Sequence, residues 1–364
     1  MKKLFIAIAA IAAFTACSKQ DVIFNEPSQI SISAVSQNRT KAMVEGLEFP
    51  AENFAVWAYY KQLSAGTSIV DWQSATNVSQ NIYINEKPFK PSGTEGLWSG
   101  VPPYYWPKIG SLLFAGYYPV SIDNPTDEKP EGIVKYEFTS EVNKMTVADY
   151  SPGNYETTGF VNTASNADHV EDFMYFNMTA ASCDGNTVGK DNSVDSGSQV
   201  DVYFRHALSW ISVVLSEADN TPEGAEITVN SITFTEVKTK GTGVVDNSAE
   251  DNEIDWNTVS SPSTDIVVLN QDKVLGDATT VEKQPIVIPQ TMAGNLIVVY
   301  TISSKDGSSF QETKTIELAT LDTNNTSWKP GKKYTYNITI GTTEILIDPI
   351  IIEWAPVVTT IPVQ

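Results

Sequence analysis

A cysteine near the amino terminus has the sequence context that most clearly specifies covalent chemistry. Cys17 follows two lysines, an apolar run from Leu4 to Phe14, and the small residues Thr15 and Ala16. A basic start, a short apolar core and small residues at the cleavage point are typical of a secretory signal peptide. A cysteine at that point predicts a lipobox, whose thiol takes a diacylglycerol and whose new amino terminus is then acylated, for example with palmitate. Residues 1–17 are therefore the predicted lipoprotein signal peptide and lipidated cysteine.

The alternative is an ordinary cleaved signal with an incidental cysteine, and Phe14 stands where a lipobox usually has leucine. Cys183 is the only other cysteine, so acylation of Cys17 leaves no pair for an internal disulfide. No later stretch comes near the roughly 20 apolar residues needed to cross a bilayer. We expect a soluble body that two or more acyl chains tether stably to the outer membrane.

The two histidines form no recognisable catalytic or metal-binding pattern. His169 and His206 are far apart, and neither HExxH, CxxC, a calcium loop, Gly-x-Ser-x-Gly nor a phosphate-binding loop is present. His206 lies in an apolar context that favours a hydrogen-bonded structural histidine, whereas His169 lies among acidic residues that predict a solvated turn. The sequence therefore predicts no catalytic residue, no metal site, no cofactor and no enzymatic activity.

The charge of the chain excludes one class of partner. The 44 acidic and 23 basic residues give a formal net charge of -21. Nucleic acids and anionic membranes are bound through basic patches, because their phosphates attract lysine and arginine. We therefore predict no nucleic-acid partner, and acidity of this kind favours solubility outside the cell.

Short apolar segments recur between turn-rich stretches and must supply the framework of the protein. Their β-branched and aromatic residues favour strands, and several alternate as half-buried strands do. His206–Ser209 could form a turn or bulge between two strands. The predicted strands include residues 54–60, 112–118, 134–138, 200–204, 211–215, 227–229, 286–288, 296–300 and 334–340.

A polar stretch divides these strands into two groups. Residues 182–199 are dominated by Asp, Asn, Gly and Ser, which offer little to bury and predict a domain boundary. A chain of 364 residues exceeds one typical domain, and long helical periodicity is absent after the signal. We predict an all-β protein with two β-sandwich domains in tandem, at residues 18–190 and 198–364.

Four segments taken together, in this order, resemble the fimbrillin family of Gram-negative anaerobes. The resemblance spans nearly the whole mature chain. The segments are Tyr104–Pro107 with Phe114–Pro119, Glu171–Tyr175, Val202–Ser209, and a last set made of Ile288–Thr291, Gly331–Tyr336 and Trp354.

This resemblance implies transthyretin-like sandwiches and a structural subunit of a cell-surface fimbria that supports adhesion. The implied precursor is a lipoprotein from which a trypsin-like maturation protease removes the first strand, so that another subunit can donate a strand to the groove. Residues 30–35 alternate as a removable strand should, and Arg39 is the predicted cleavage site, with Lys41 as a competing one. The alternative interpretation is that Arg39 and Lys41 are ordinary basic loop residues with no role in cleavage.

The donor strand is expected in the apolar carboxyl-terminal tail. Unpaired, such a tail would be prone to aggregate, and its prolines favour an edge position. The alternative is a last sheet strand followed by a disordered end. The predicted donor residues are Ile350, Ile352, Val357, Thr359, Ile361 and Val363.

Two other functions stay open at this point. A monomeric surface lipoprotein could bind glycans if exposed aromatic rings stacked on sugars, although core packing is the simpler interpretation of these rings. A secreted hydrolase would need a carboxylate pair or a metal cluster, and the sequence contains no recognisable motif for either. The predicted partners are other fimbrial subunits, the maturation protease, the outer membrane and a host or bacterial surface ligand, while shaft, tip and anchor roles stay open. The aromatic candidates for sugar stacking are Trp98, Tyr104, Tyr105 and Trp106.

Overall fold

The protein is almost entirely built of strands, which confirms the predicted all-β class. A computed structural model describes its architecture, and all nine strand segments predicted from apolar patterning lie in strands, apart from Ile288 just after one of them. The residues it describes are 29–36, 53–61, 82–94, 96–107, 109–118, 133–138, 143–152, 172–184, 187–190, 199–246, 253–281 and 283–354.

The first group of strands comes from the amino-terminal half and the junction that follows it. Their bounds are β1 (Ser31–Ser36), β2 (Phe54–Lys61), β3 (Ile82–Pro91), β4 (Leu97–Gly100), β5 (Ile109–Tyr118), β6 (Ile133–Phe138), β7 (Asn143–Tyr150), β8 (Met174–Asp184), β9 (Thr187–Lys190) and β10 (Gln199–His206).

The second group includes one short helix. Its members are β11 (Ser209–Glu217), β12 (Glu226–Asp246), β13 (Ile254–Leu269), β14 (Lys273–Val274), β15 (Thr279–Thr280), β16 (Ile286–Val287), β17 (Gln290–Thr291), β18 (Asn295–Ser303), β19 (Ser309–Glu317), α1 (Leu318–Leu321), β20 (Ser327–Trp328), β21 (Lys332–Ile340) and β22 (Ile345–Glu353). Among the described residues, no helix is long and apolar enough to span a membrane.

The first sheet closes on itself. Its strand order is β10-β1-β4-β3-β2-β5-β8-β9, and β10 also pairs with β8, so seven strands form a ring. The interior holds aromatic side chains in contact, among them Phe54 and Phe204, whose ring centroids are 5.2 Å apart. Closure removes the unpaired edges that an open sheet would expose.

The outer face of this ring is covered as well. In β2, Phe54, Val56 and Ala58 point into the ring, whereas Ala55 and Trp57 join a second core cluster. Residues from β6, β7 and the carboxyl-terminal half complete that cluster. Burial on both faces explains why β2 and β5 read as continuous apolar runs rather than as alternating strands.

A glycine permits the tight packing of β5 between its neighbours. A Cβ atom at Gly116 would lie 2.4 Å from both the Ala55 carbonyl oxygen and the Phe176 ring. Real side chains do not tolerate such contacts, because protein interiors are already closely packed. Gly116 is therefore required by the approach of the neighbouring strands.

Two further sheets face each other in the carboxyl-terminal half. One has the order β15-β11-β21-β22, with β16 also on β11, and the other has the order β19-β18-β12-β7-β6, with β13 and β14 also on β12. Their facing side chains form a third core cluster, which includes Phe234 and Tyr336 with ring centroids 5.3 Å apart. The pair β17–β20 lies outside these two sheets.

Strand pairing crosses the predicted domain boundary. β10 follows that boundary yet lies in the first sheet, while β6 and β7 precede it yet extend the sheet of β12. The strand structure is interrupted at Ala207 and Leu208, between β10 and β11, as the sequence predicts. The division into tandem sandwiches at 18–190 and 198–364 stays a prediction, and hydrogen-bonded ladders connect the two parts.

Two buried hydrogen bonds reinforce this connection. The indole N–H of Trp256 donates to the Ala207 carbonyl oxygen at 2.8 Å, and the Ile254 N–H donates to the Tyr175 hydroxyl at 2.9 Å. Both bonds lie within the cluster that covers the ring. A buried polar group left without its partner costs about 1–3 kcal/mol, so these bonds matter to the stability of the whole chain.

We expect Trp256→Phe to lower the free energy of unfolding by about 2–4 kcal/mol, because the Ala207 carbonyl loses its donor and a smaller ring leaves a void. Urea unfolding would measure this free energy, and hydrogen exchange would measure the protection of β5 and of β12. Both strands should lose protection together, since the cluster joins the two parts.

Phe310→Ala is the matched control, because Phe310 is 64% exposed and its truncation should change stability by less than about 0.5 kcal/mol. Loss of protection in β12 alone, with β5 unchanged, would contradict the joint unfolding of the two parts.

Candidate functional site

Strand β1 is inserted between two strands that are distant from it in sequence. It runs parallel to β10, from Ser31 opposite Gln199 to Ser36 opposite Phe204, and antiparallel to β4. Just before it, the Ile30 N–H donates to the Tyr104 carbonyl oxygen at 2.8 Å. The first half of β1, Ser31–Ser33, is therefore paired on both edges, and β1 closes the ring.

The side chains of β1 alternate as the sequence predicts. Ile30 and Ile32 are 0% exposed and lie in the ring interior, and Ala34 packs against the same cluster. Ser31 and Ser33 lie on the opposite side of the strand, where Ser31 is half-buried and Ser33 is 3% exposed, so this side is partly covered as well. Burial of each isoleucine stabilises the strand by about 1.5–3 kcal/mol, so two of them hold β1 with about 3–6 kcal/mol.

A tyrosine pair marks the beginning of the slot that β1 fills. Gln29 forms an isolated bridge with Tyr105, and the Tyr83 hydroxyl donates to the Tyr105 carbonyl oxygen. Burial, and secondarily the neighbouring Tyr60, raise the pKa of Tyr83. A tyrosine hydroxyl is already protonated at neutral pH, and the raised pKa keeps this one a donor in more alkaline solution as well.

The aromatic candidates for sugar stacking do not share one surface. Trp98 and Trp106 are buried in the ring interior, which confirms core packing for these two, and Tyr104 stacks on Phe89 with ring centroids 6.4 Å apart. Tyr105 is 46% exposed and has no exposed member of this set beside it. These four rings therefore do not form one continuous aromatic surface, and the exposed neighbour of Tyr105 is Tyr83, which is not among them.

Strand β22 forms an edge. It pairs antiparallel with β21, from Lys332 opposite Glu353 to Ile340 opposite Ile345, and no second partner occurs among the described strands. Pro349 lies within it, in agreement with the edge position that the prolines predict. Two of the six predicted donor residues, Ile350 and Ile352, therefore lie in an edge strand of the described fold.

The two faces of β22 differ in exposure. Ile347 and Ile351 face the core between the sheets, whereas Ile350 and Ile352 are each 49% exposed. Leu346 lies on the same outer face and is 63% exposed. Two predicted donor residues therefore lie on the outward face of a strand that has one partner among the described strands, and Asp348 separates them from Leu346 on that face.

A polar and aromatic cluster, the Trp354 stack, follows the end of β22. Nδ1 of His206 lies 2.6 Å from Asp172 Oδ2, which confirms the structural, hydrogen-bonded histidine. The ring of Trp354 stacks on the His206 ring with a centroid separation of 3.8 Å and an interplanar angle of 11°. The sequence places these residues in three separate segments and offers no signal that they meet.

The other predicted site residues fall outside the described part of the chain. Within that part, no group of three or more potential ligands could hold a metal ion. The lipidation, cleavage and remaining donor sites stay predictions, as does the solvated turn at His169. The residues concerned are Cys17, Arg39, Lys41, Val357, Thr359, Ile361 and Val363.

One solved structure shares this architecture, and a second aligns with the chain at a much lower TM-score. A fimbrial protein from Bacteroides vulgatus aligns over 90% of this chain and 99% of its own, with 17% identity and a TM-score of 0.59. The fimbrial anchor protein Mfa2 from Porphyromonas gingivalis aligns over 90% of this chain and 98% of its own, with 13% identity and a TM-score of 0.30. The first likeness shows a shared fold. Among curated proteins, none matches the chain.

A family model with the description fimbrillin-like matches residues 57–354. The match begins in β2, runs through the ring and the facing sheets, and ends at Trp354, so it covers most of the chain. It agrees with the resemblance carried by the four sequence segments. The chain belongs to the fimbrillin-like family.

Proposed function

We propose that this protein is a structural, non-enzymatic subunit of a cell-surface fimbria that supports adhesion. In this proposal the precursor is a lipoprotein anchored in the outer membrane through Cys17. A protease then cuts after Arg39, and subunits join by strand donation. Membership of the fimbrillin-like family supports the fimbrial role, and the geometry of β1 supports the way in which subunits join.

One observation carries the proposal: β1 is a complete strand of a closed ring that lies near the amino terminus and just before Arg39. Its last residue, Ser36, precedes Arg39 by two intervening residues, Gln37 and Asn38. A cut after Arg39 leaves β1 attached to the rest of the protein by hydrogen bonds and packing alone. Such a strand can be exchanged for another of similar pattern.

The vacated slot would strongly favour a replacement strand. It would expose the backbone edges of β10 and β4 that pair with β1, together with the apolar pockets that hold Ile30 and Ile32. An open edge beside an apolar groove is a template for pairing with another chain. Refilling it recovers about 3–6 kcal/mol of apolar burial in addition to the backbone hydrogen bonds.

The carboxyl-terminal tail has the pattern that this slot requires. Val357, Thr359, Ile361 and Val363 recur at every second position, as do the inward residues of β1. Ile350 and Ile352 provide the same spacing on the outer face of β22. A tail from one subunit could therefore fill the ring of the next, so the partners are other fimbrial subunits. The maturation protease and a surface ligand complete the proposed set of partners.

Brief digestion with a trypsin-like protease should convert the purified protein into a chain that begins at Thr40. Loss of β1 opens the slot, and the cut chains should form a ladder of noncovalent oligomers. Amino-terminal sequencing and gel electrophoresis without boiling would detect the new end and the ladder, which should collapse to monomer on boiling.

Arg39→Ala should abolish this cut and the ladder, while Lys41→Ala, two positions away, should behave as the wild type. A cut chain beginning at Thr40 that stays monomeric would argue against strand exchange. A ladder formed by an uncut chain would argue against activation by proteolysis.

Ile361→Asp should suppress the ladder by about tenfold or more without preventing the cut after Arg39. A carboxylate in an apolar pocket must be desolvated, and this cost exceeds the burial energy that one isoleucine supplies. Quantification of oligomers after digestion would measure the effect.

Thr360→Asp is the matched control, because its side chain would point to the opposite side of an inserted strand. It should leave the ladder nearly unchanged. Equal loss in both variants would contradict an alternating insertion of the tail.

A further inference from the structure

The last described residue of the chain is buried although the strand before it is peripheral. β22 has a partner on one edge only among the strands that the structure describes, and alternate side chains along it are exposed. Trp354, which follows it directly, is 4% exposed and belongs to the cluster that covers the ring. Edge strands with few buried contacts open most easily, so a buried anchor at the end of β22 has a large influence on it.

The Trp354 ring is held from two sides. His206 stacks on it at 3.8 Å, and Trp210 lies with its ring centroid 5.5 Å away. The Lys333 ammonium lies over the Trp210 ring at 3.8 Å. Stacked and tilted aromatic rings attract one another beyond the burial of their surfaces. The ring of Trp354 therefore has a defined position rather than a general apolar environment.

The backbone fixes the same residue. The Trp354 N–H donates to the Gly331 carbonyl oxygen at 2.7 Å, and the Gly331 N–H donates to the Leu208 carbonyl oxygen at 2.9 Å. Gly331 has a φ of 65°, a conformation that glycine adopts without strain. Trp354 is thus connected through Gly331 to Leu208, in the short segment between β10 and β11.

The polar partners of the stack are incompletely satisfied. Asp172 Oδ1, His206 Nε2 and Trp354 Nε1 are buried and have no hydrogen-bond partner among the described residues. Buried atoms of this kind reduce stability, so an apolar residue would fill the same space at lower cost. Stability alone therefore does not explain why polar and aromatic residues occupy this cluster.

We propose that the Trp354 stack is a latch that holds the end of β22 on its sheet. Trp354 is a positioning residue, and Asp172 orients the His206 ring on which it stacks. The role of the tail as donor rests on the proposed function, whereas the latch itself does not.

The latch bears on the proposed strand donation. While Trp354 is anchored, Ile350 and Ile352 stay paired in β22. The donor residues of the proposed function would then be those beyond Trp354 in sequence, at Val357, Thr359, Ile361 and Val363.

The test is hydrogen exchange of β22 in the uncut, purified protein. Trp354→Ala should accelerate exchange across residues 345–353 by about tenfold or more, because local opening of an edge strand then no longer requires release of the stack. Trp354→Phe retains a ring against His206 and should stay within about threefold of the wild type. Asp172→Asn should give an intermediate acceleration.

Trp106→Ala is the matched control, since Trp106 is also 4% exposed but lies inside the ring. It should leave exchange in β22 no faster than in β11 and β21. Equal acceleration of all strands by Trp354→Ala, or unchanged exchange in β22, would overturn the latch, as would a phenylalanine variant that exchanges as fast as the alanine one.

This experiment separates the two proposals, because it uses the monomer before any cut. If β22 loosens locally but cut wild-type chains never form a ladder, the latch stands and the proposed function fails. If ladders form and β22 does not loosen, the reverse holds.

Discussion

The two-sided pairing of β1 is the constraint on which the architecture of the first sheet depends. Without it, β10 and β4 would each present an unpaired edge to solvent, and the interior aromatic cluster would be open along one side. Backbone groups in such a position need partners, and apolar surface beside them needs cover. The contacts between β1 and its neighbours are hydrogen bonds and apolar packing, so closure of the ring depends on noncovalent contacts along this one strand.

The sequence predicts the strands and the fold class well, because each depends on local pattern. The alternation at Ile30 and Ile32 and the apolar runs of β2 and β5 are visible in a short window. The ring is not, since β1 and β10 pair in parallel across more than 160 residues, from Ser31 to Gln199. Nothing in either segment specifies the other as its partner.

The candidate site divides in the same way. The edge character of β22 agrees with its one proline, Pro349, and the exposed position of Ile350 follows from the alternation of side chains along the strand. The contact of Asp172 with His206 and of His206 with Trp354 depends on where the sheets meet, which no local pattern encodes. Three of the four segments that carry the family resemblance converge at this stack, which provides a physical reason for their occurrence in one chain.

The long strand β12 has a mechanical consequence. Its 21 residues pair with β18 along Glu226–Phe234 and with β7 along Gly241–Asp246, so one continuous backbone joins both parts of the protein. Tension applied along such a strand must shear many hydrogen bonds at once, whereas tension across a flexible linker would straighten the linker first. A filament built from these subunits would therefore resist stretching within each subunit, and its compliance would lie at the junctions between them.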